Sequence, residues 1–300
     1  MASPNMQVQA RDGVELATPA KINLYLQVLN ERPDGFHEIQ SLALAVGLYD
    51  ALSFCRAPSE EVDFTCDAGL PEDGGNLVVQ AACALAERTG CRQGARIGLR
   101  KSIPVSAGLG GGSSDAAATL RGLNSLWQTG LSDGELAALG AQLGSDVALF
   151  FDLPAAVLSG RGEQTAPVAM AWSGWVLLVM GGWPVSTAEV YRRWEIADSP
   201  CEGGLAAIDA LNHATCAGSL MPLCRNDLEP AVYRVCPEVR RLREQVSECL
   251  DQPARVSGAG STVFTLYDDK PAAQSAAEAL TAEGLRATVV CGGREVMVTP

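Results

Sequence analysis

The run Pro104-Val105-Ser106-Ala107-Gly108-Leu109-Gly110-Gly111-Gly112-Ser113-Ser114-Asp115-Ala116-Ala117 decides the reading of this chain. Glycine has no Cβ, so such a loop lets backbone N–H groups close around the oxygens of an anion. The run follows strand-like alternation in Ala95 to Val105, and after it Leu120, Leu123, Leu126 and Trp127 recur along one side at helical spacing. A glycine loop that opens a helix suits phosphate, because the first N–H groups of the helix are unpaired and its dipole adds positive potential. A flexible linker or tight turn is the competing reading, but it belongs in a solvated, Ser-rich setting rather than between a strand and a helix start. The spacing is neither Walker A, which needs Lys where Ser113 stands, nor GxGxxG.

Working outward, residues 14–54 hold short apolar runs that read as a β-rich opening. Ile22, Leu24, Leu26 and Val28 alternate as one face of a strand, and Pro33-Asp34-Gly35 closes a turn. Asn76 to Arg88 carries helical periodicity and stops at Gly90. Ser132 and Glu135 have capping-box spacing, and Gly144 ends that helix just before Ser145-Asp146-Val147. Beyond residue 155 alternating strands and helices form a second α+β lobe, so the chain divides into 1–155 and 156–300, with Asp198 to Ser219 as its mobile connection.

Three hundred residues, 47% hydrophobic and 19% charged, describe a globular enzyme large enough for two lobes. A net charge of −13 without a basic stripe argues against nucleic acid, yet leaves room for one nucleotide in a locally positive pocket. Ten cysteines at irregular intervals, with no CxxC and only two histidines, supply no zinc site; they read as small buried thiols in a reducing compartment. No apolar stretch reaches membrane-spanning length, and MASPNMQVQARDG lacks a signal-peptide core, so a cytoplasmic location with no membrane partner is expected.

The glycine run resembles the phosphate loop of the GHMP kinases, Pro-x-x-x-Gly-Leu-Gly-x-Gly-Ser-Ser. The resemblance continues in order through Pro19 to Leu24, Arg32 to Gln40, Leu143 to Val147, Gly160 to Glu163, Val185 to Tyr191, Asn226 to Pro230 and Ser257 to Ser261. It is closest to the branch whose acceptor is a diphosphocytidyl-linked methylerythritol. It implies an α+β two-lobed fold, with a ribosomal-protein-S5-like N-terminal lobe and a ferredoxin-like C-terminal lobe. It also implies phosphorylation of the acceptor's 2-hydroxyl by ATP, with Mg²⁺, in the non-mevalonate route to isoprenoid precursors.

Residue roles follow from that resemblance. Asp146 becomes the base and Lys21 the cation that orients the hydroxyl or steadies the transferring phosphoryl; from the residues alone, Asp146 fits a helix N-cap equally well. Pro104, Gly108, Leu109, Gly110, Gly111, Gly112, Ser113 and Ser114 form the nucleotide loop. Asn76 lies near the adenine or simply caps its helix. Phe36 stacks on the cytosine where the family has Tyr, with His37 at the base edge, Tyr191 on its other face, and Asn23 and Thr187 on polar groups of the substrate. The segment Ser257 to Ser261 is a second glycine-rich wall or a turn. No residue is assigned to the metal.

Overall fold

The computed structural model describes residues 8–10, 13–199, 203–293 and 296. Most of the N-terminal thirteen residues and Cys201, all part of the sequence reading, lie outside them.

Strand β1 (Val8–Ala10) pairs with the start of β2 (Gly13–Glu31), which folds back on β3 (His37–Arg56) as a long antiparallel hairpin with Ile22 opposite Leu44. At the turn, Arg32 N–H donates to the Phe36 carbonyl at 2.7 Å, and Gly35 takes a φ of 81°, a left-handed value that suits glycine. The expectation of one apolar face on β2 needs correcting. Ile22, Leu24, Leu26 and Val28 are all buried, but the register shifts between Asn23 and Tyr25, so the first two join one core cluster and the last two another. Lys21, Asn23 and Gln27 are buried as well, at 5%, 4% and 4% exposure, so this strand carries polar side chains into the interior. Buried polar groups of this kind mark a site rather than a packing face.

Next come β4 (Val62–Cys66), α1 (Leu77–Thr89), β5 (Ala95–Arg100), α2 (Gly111–Trp127) and α3 (Asp133–Leu143). Gly90 ends α1 in the left-handed region, the Ser132–Glu135 capping box opens α3, and Gly144 closes it. The helices cover β3 and β5 through Phe54, Leu85, Ile97, Leu120, Leu123 and Phe150. Gly122 permits that approach, since a Cβ there would sit 2.4 Å from the Phe54 ring.

Strands β6 (Ala155–Ser159) and β7 (Gln164–Pro167) extend from β3, Ala43 facing Ala156. The remainder comprises β8 (Gly174–Val179), α4 (Thr187–Arg193), α5 (Gly204–His213), α6 (Ala217–Leu220), β9 (Arg225–Asn226), α7 (Glu229–Val235), α8 (Pro237–Leu250), β10 (Arg255–Val256), β11 (Val263–Tyr267), α9 (Lys270–Ala282) and β12 (Ala287–Gly292). The main strand path runs β1-β2-β3-β12-β8-β11-β10, and the halves meet where Gly292 of β12 faces Val46 of β3. β8 is covered on both faces: Val176 and Leu178 enter one cluster, Leu177 and Val179 the other.

Two further expectations change. The stretch from Asp198 to Ser219 contains α5 rather than a plain connection, because Ile208 and Leu211, three apart, are buried together. Among the nine described cysteines, Cys224 alone is buried, and Cys55, Cys83, Cys216 and Cys249 are exposed. Apolar sequence neighbours misled here: Cys83 sits on the side of α1 opposite the buried Val78, Ala81, Ala82 and Leu85. Among the described residues no helix is long and apolar enough to cross a membrane.

Candidate active site

One cleft of about 1280 Å³ collects the ends of β2, α1, α2 and α4 with the turns that follow α3, β6 and β10. Pro104, Gly108, Leu109, Gly110, Gly111, Gly112 and Ser113 line it, with Asn76 beside them. Gly110 is the N-cap of α2 at a φ of 70°, so the helix begins directly in the loop and its first N–H groups are left without intrahelical partners. Gly108, at a φ of 76°, cannot carry a side chain: its Cβ would fall 2.0 Å from the Ser257 carbonyl oxygen. Here the segment Ser257 to Ser261 is both a turn between β10 and β11 and a second wall. Ser257 Oγ donates to the Gly108 carbonyl at 2.9 Å, and Gly258 and Ala259 line the cleft.

The two serines of the loop part company. Ser113 lines the cleft, whereas Ser114 is fully buried and donates its hydroxyl to the Pro19 carbonyl at 2.6 Å. Its expected side-chain place at the phosphates is therefore corrected: one helical step of about 100° turns it onto β2. Asn76 caps α1, accepting from Val78 N–H at 2.9 Å, and also borders the cleft.

Lys21 and Asp146 meet. Lys21 Nζ lies 3.3 Å from Asp146 Oδ2 and donates to Asn23 Oδ1 at 2.7 Å. Asn23 in turn donates to Ser41 Oγ at 2.9 Å, and Ser41 donates to the Tyr25 carbonyl at 2.6 Å. Lys21 N–H donates to the Leu109 carbonyl at 2.9 Å, which ties the strand to the glycine loop. The ammonium is thus held on a chain of buried hydrogen bonds, while Asp146 stays about a third exposed, at 32%. Its carboxylate faces Lys21 rather than capping a helix; Val147 is the residue that opens the following 3₁₀ turn.

At the other end, Phe36, His37, Thr187 and Tyr191 line the same cleft. His37 lies 5.1 Å from the Tyr191 ring and 5.3 Å from that of Trp194, edge-on to the latter. Burial lowers the His37 pKa, so a neutral imidazole, one nitrogen donating and the other accepting, is the form at neutral pH. Burial raises the Tyr191 phenol pKa, and the Asp146 carboxylate adds to that shift.

Sequence reasoning missed three cleft residues: Trp194, Arg161 and Lys101. Arg161 lies over the Phe36 ring, 4.7 Å from its centre. Lys101 sits beneath the glycine loop between two carboxylates, 2.5 Å from Asp50 Oδ2 and 2.8 Å from Asp115 Oδ2. Burial pushes the Asp115 carboxyl up to about 7 against the pull of Lys101, and its Oδ1 is buried with no hydrogen-bond partner. For Lys101 burial works against the charge, but Asp115 and Asp50 outweigh it and raise its pKa. No motif flags Trp194 or Lys101, and the Gly160 to Glu163 segment gives Arg161 no role of its own, since each gains its meaning only from neighbours distant in the chain.

Comparison with known proteins agrees with this geometry. The profile of the GHMP kinases N terminal domain matches residues 76–160 and that of the GHMP kinases C terminal domain matches 206–286. The chain is similar to the 4-diphosphocytidyl-2-C-methyl-D-erythritol kinase of Geobacillus thermodenitrificans, 41% identical over 260 residues, covering 85% of this chain and 88% of the relative. That of Symbiobacterium thermophilum is 42% identical over 263 residues, covering 86% and 92%. A crystal structure of 4-(cytidine 5'-diphospho)-2C-methyl-D-erythritol kinase superposes with a TM-score of 0.78 at 33% identity, over 93% of this chain and 99% of that one. The homoserine kinase of Cytophaga hutchinsonii, at 19% identity and a TM-score of 0.69, shares the fold. With relatives this similar over nearly the whole of both chains, this chain belongs to the GHMP kinases and, among them, to the 4-diphosphocytidyl-2-C-methyl-D-erythritol kinase family.

Proposed function

We propose that this protein transfers the γ-phosphoryl group of ATP to the 2-hydroxyl of 4-diphosphocytidyl-2-C-methyl-D-erythritol, as a cytoplasmic enzyme of the non-mevalonate isoprenoid pathway. The observation that carries this reading is the single cleft that holds, side by side, a glycine loop at a helix N-terminus, the Lys21–Asp146 pair at 3.3 Å and an aromatic pocket around His37. Phosphoryl transfer asks little covalent chemistry of a protein and much positioning and charge stabilisation, and these parts supply both.

The backbone N–H groups of Gly110, Gly111 and Gly112 and the hydroxyl of Ser113 hold the β- and γ-phosphates, with Leu70, Pro71, Leu77 and Val105 as an apolar end of the cleft for the adenine. Asp146 accepts the proton of the attacking hydroxyl, and Lys21, anchored by Asn23, offsets the charge on the transferring group. Phe36 and Tyr191 stack on the cytosine, His37 meets its edge, and Asn23 and Thr187 take the polar groups of the acceptor.

Magnesium supplies neutralisation of the nucleotide's β- and γ-phosphate oxygens when bound. Among the described residues no group of three or more His, Cys, Asp or Glu side chains lies close enough to hold a metal. The donor set therefore fits an ion that the nucleotide's own phosphates carry, with Ser113 Oγ as the loop's side-chain oxygen toward the cleft.

The test is ATP consumption by the purified protein with Mg²⁺ and, in parallel, the cytidine substrate, homoserine, mevalonate and galactose. Turnover is expected with the cytidine substrate only. Turnover with another acceptor would keep the chemistry and overturn the base pocket, and inactivity with all four despite ATP binding would leave a nucleotide-binding regulator.

A further inference from the structure

Of the segment Asn226 to Pro230, Leu228 alone lines the cleft, so the rest of that segment has no direct place in the chemistry. Asn226 is buried on β9, which pairs with β2, the strand that carries Lys21 and Asn23. Its side-chain amide joins three pieces of chain. Nδ2 donates to the Gly258 carbonyl at 2.7 Å and to the Val256 carbonyl at 2.9 Å, and Oδ1 accepts from Leu228 N–H at 3.0 Å. With both amide protons and the oxygen engaged, the side chain is held in one orientation. Glu229 accepts from Val256 N–H at 2.8 Å, so the same segment grips β10 a second time, directly before the glycine-rich wall that begins at Ser257.

That wall closes on Lys21. A Cβ on Gly258 would lie 3.5 Å from Lys21 Nζ and 3.2 Å from Asn23 Oδ1, the atom to which the ammonium donates. A Cβ on Gly110 would fall 2.9 Å from Lys21 Cγ and 3.0 Å from its Cε. The lysine therefore packs against two bare backbones, the glycine loop along its stem and the wall at its ammonium. A lysine stem is long and flexible, and hydrogen bonds at the tip hold it poorly unless close packing removes its other rotamers. Gly258 has no side chain to anchor it, and its carbonyl is tied by Asn226.

We propose that Asn226 is a positioning residue for phosphoryl transfer: by holding the Gly258 backbone it keeps the Lys21 ammonium at Asp146 and the reacting hydroxyl. Asn226 lies outside the cleft lining and acts through Lys21. This role rests on the reading of Lys21 and Asp146 above and names what confines the ammonium.

Single-turnover and steady-state kinetics of the wild type, Asn226→Ala, Lys21→Met and the double variant test it, with ADP binding and the thermal midpoint as controls for folding. A misplacement of about 1 Å costs up to about a hundredfold, so the transfer rate of Asn226→Ala should fall about 10- to 100-fold, with the KM of both substrates and ADP affinity little changed. In the Lys21→Met background the same change should cost about twofold or less, the spread of uncoupled sites. Loss of the amide strands two carbonyls and lowers the thermal midpoint. If Asn226→Ala also loses ADP binding, Gly258→Ala decides, because its Cβ crowds the Lys21–Asn23 hydrogen bond while the Asn226 amide stays; its rate should fall with Lys21 present and not without it. An equal loss with and without Lys21, in whichever variant folds, would overturn the proposal and leave Asn226 as a support for the fold, as would an unchanged rate. Lys21→Met at the wild-type rate would refute the reading of Lys21, and a wild type inactive on the cytidine substrate would refute the reaction, and the role of Asn226 with either.

Discussion

Replacing Lys101 by Met would strand two buried carboxylates beneath the glycine loop. Asp50 is fully buried but keeps two donors on Oδ1, Ser102 N–H at 2.6 Å and Ile103 N–H at 2.9 Å. Asp115 keeps none on its carboxylate: Oδ2 has Lys101 and Oδ1 has no partner. Breaking a buried pair by removing one side costs about 3–5 kcal/mol, and Met retains the aliphatic packing of the Lys stem. That is a large share of the ~5–15 kcal/mol that holds a folded domain together. The loss should also depend on pH. A carboxyl raised in the folded state binds its proton more tightly there than in the unfolded chain. Its favourable contribution is therefore complete below the unfolded value near 3.9 and disappears as pH rises to the folded value, about 7 for Asp115. Without Lys101 that folded value moves higher, so the variant goes on losing stability above pH 7, where the wild type levels off, at about 1.4 kcal/mol per pH unit. Urea unfolding at pH 6, 7 and 8 measures this, and Asp115→Asn in the Met background should recover most of the loss. A destabilisation below about 1 kcal/mol at pH 8, far under the buried-pair range, or one equal at pH 6 and 8, would refute the reasoning.

Asp146→Asn should lower turnover by at least about a hundredfold, the scale of lost acid–base catalysis, with CDP and ADP binding retained; unchanged turnover removes Asp146 from the mechanism. Gly111→Val places a branched chain where a Cβ alone would lie 2.9 Å from Ile103 Cγ2 and 3.1 Å from Lys101 Nζ. It should weaken ADP binding more than CDP binding, and equal losses in a titration would indicate misfolding instead. Asn76→Ala removes the α1 cap and should cost about 1 kcal/mol in urea unfolding, with Asn76→Ser restoring most of it; failure of Ser to restore stability would show that the cap is not the source.

The parts of the site legible in the sequence are those whose chemistry is local. A glycine loop running into a helix, a Ser–Glu capping box and a glycine stop each need only a few adjacent residues, and the structure shows them at Gly110, Ser132 and Gly144. The family was legible because motifs from Pro19 to Ser261 occur in one order. What failed was the orientation of single side chains. Adjacent Ser113 and Ser114 look equivalent as letters, yet one helical step sends the second to Pro19. The cysteines look buried by composition, yet only Cys224 of those described is buried, and Cys83 and Cys249 face outward because a helix shows only one side to the core.

The sequence by itself thus determined the glycine loop's run into a helix, which rests on residue types at short spacing, and the family and kind of reaction, which rest on the order of such short motifs. Tertiary structure decided which charges meet. Lys101 gains its partners only when β3 brings Asp50, fifty-one positions away, and α2 brings Asp115, fourteen positions away. Asp146 could have been a helix cap until β2 carried Lys21 to within 3.3 Å, and Arg161 gained its place only when the turn after β6 laid it on Phe36. Electrostatic partners act through space over a few ångströms, and only the packed chain sets those distances.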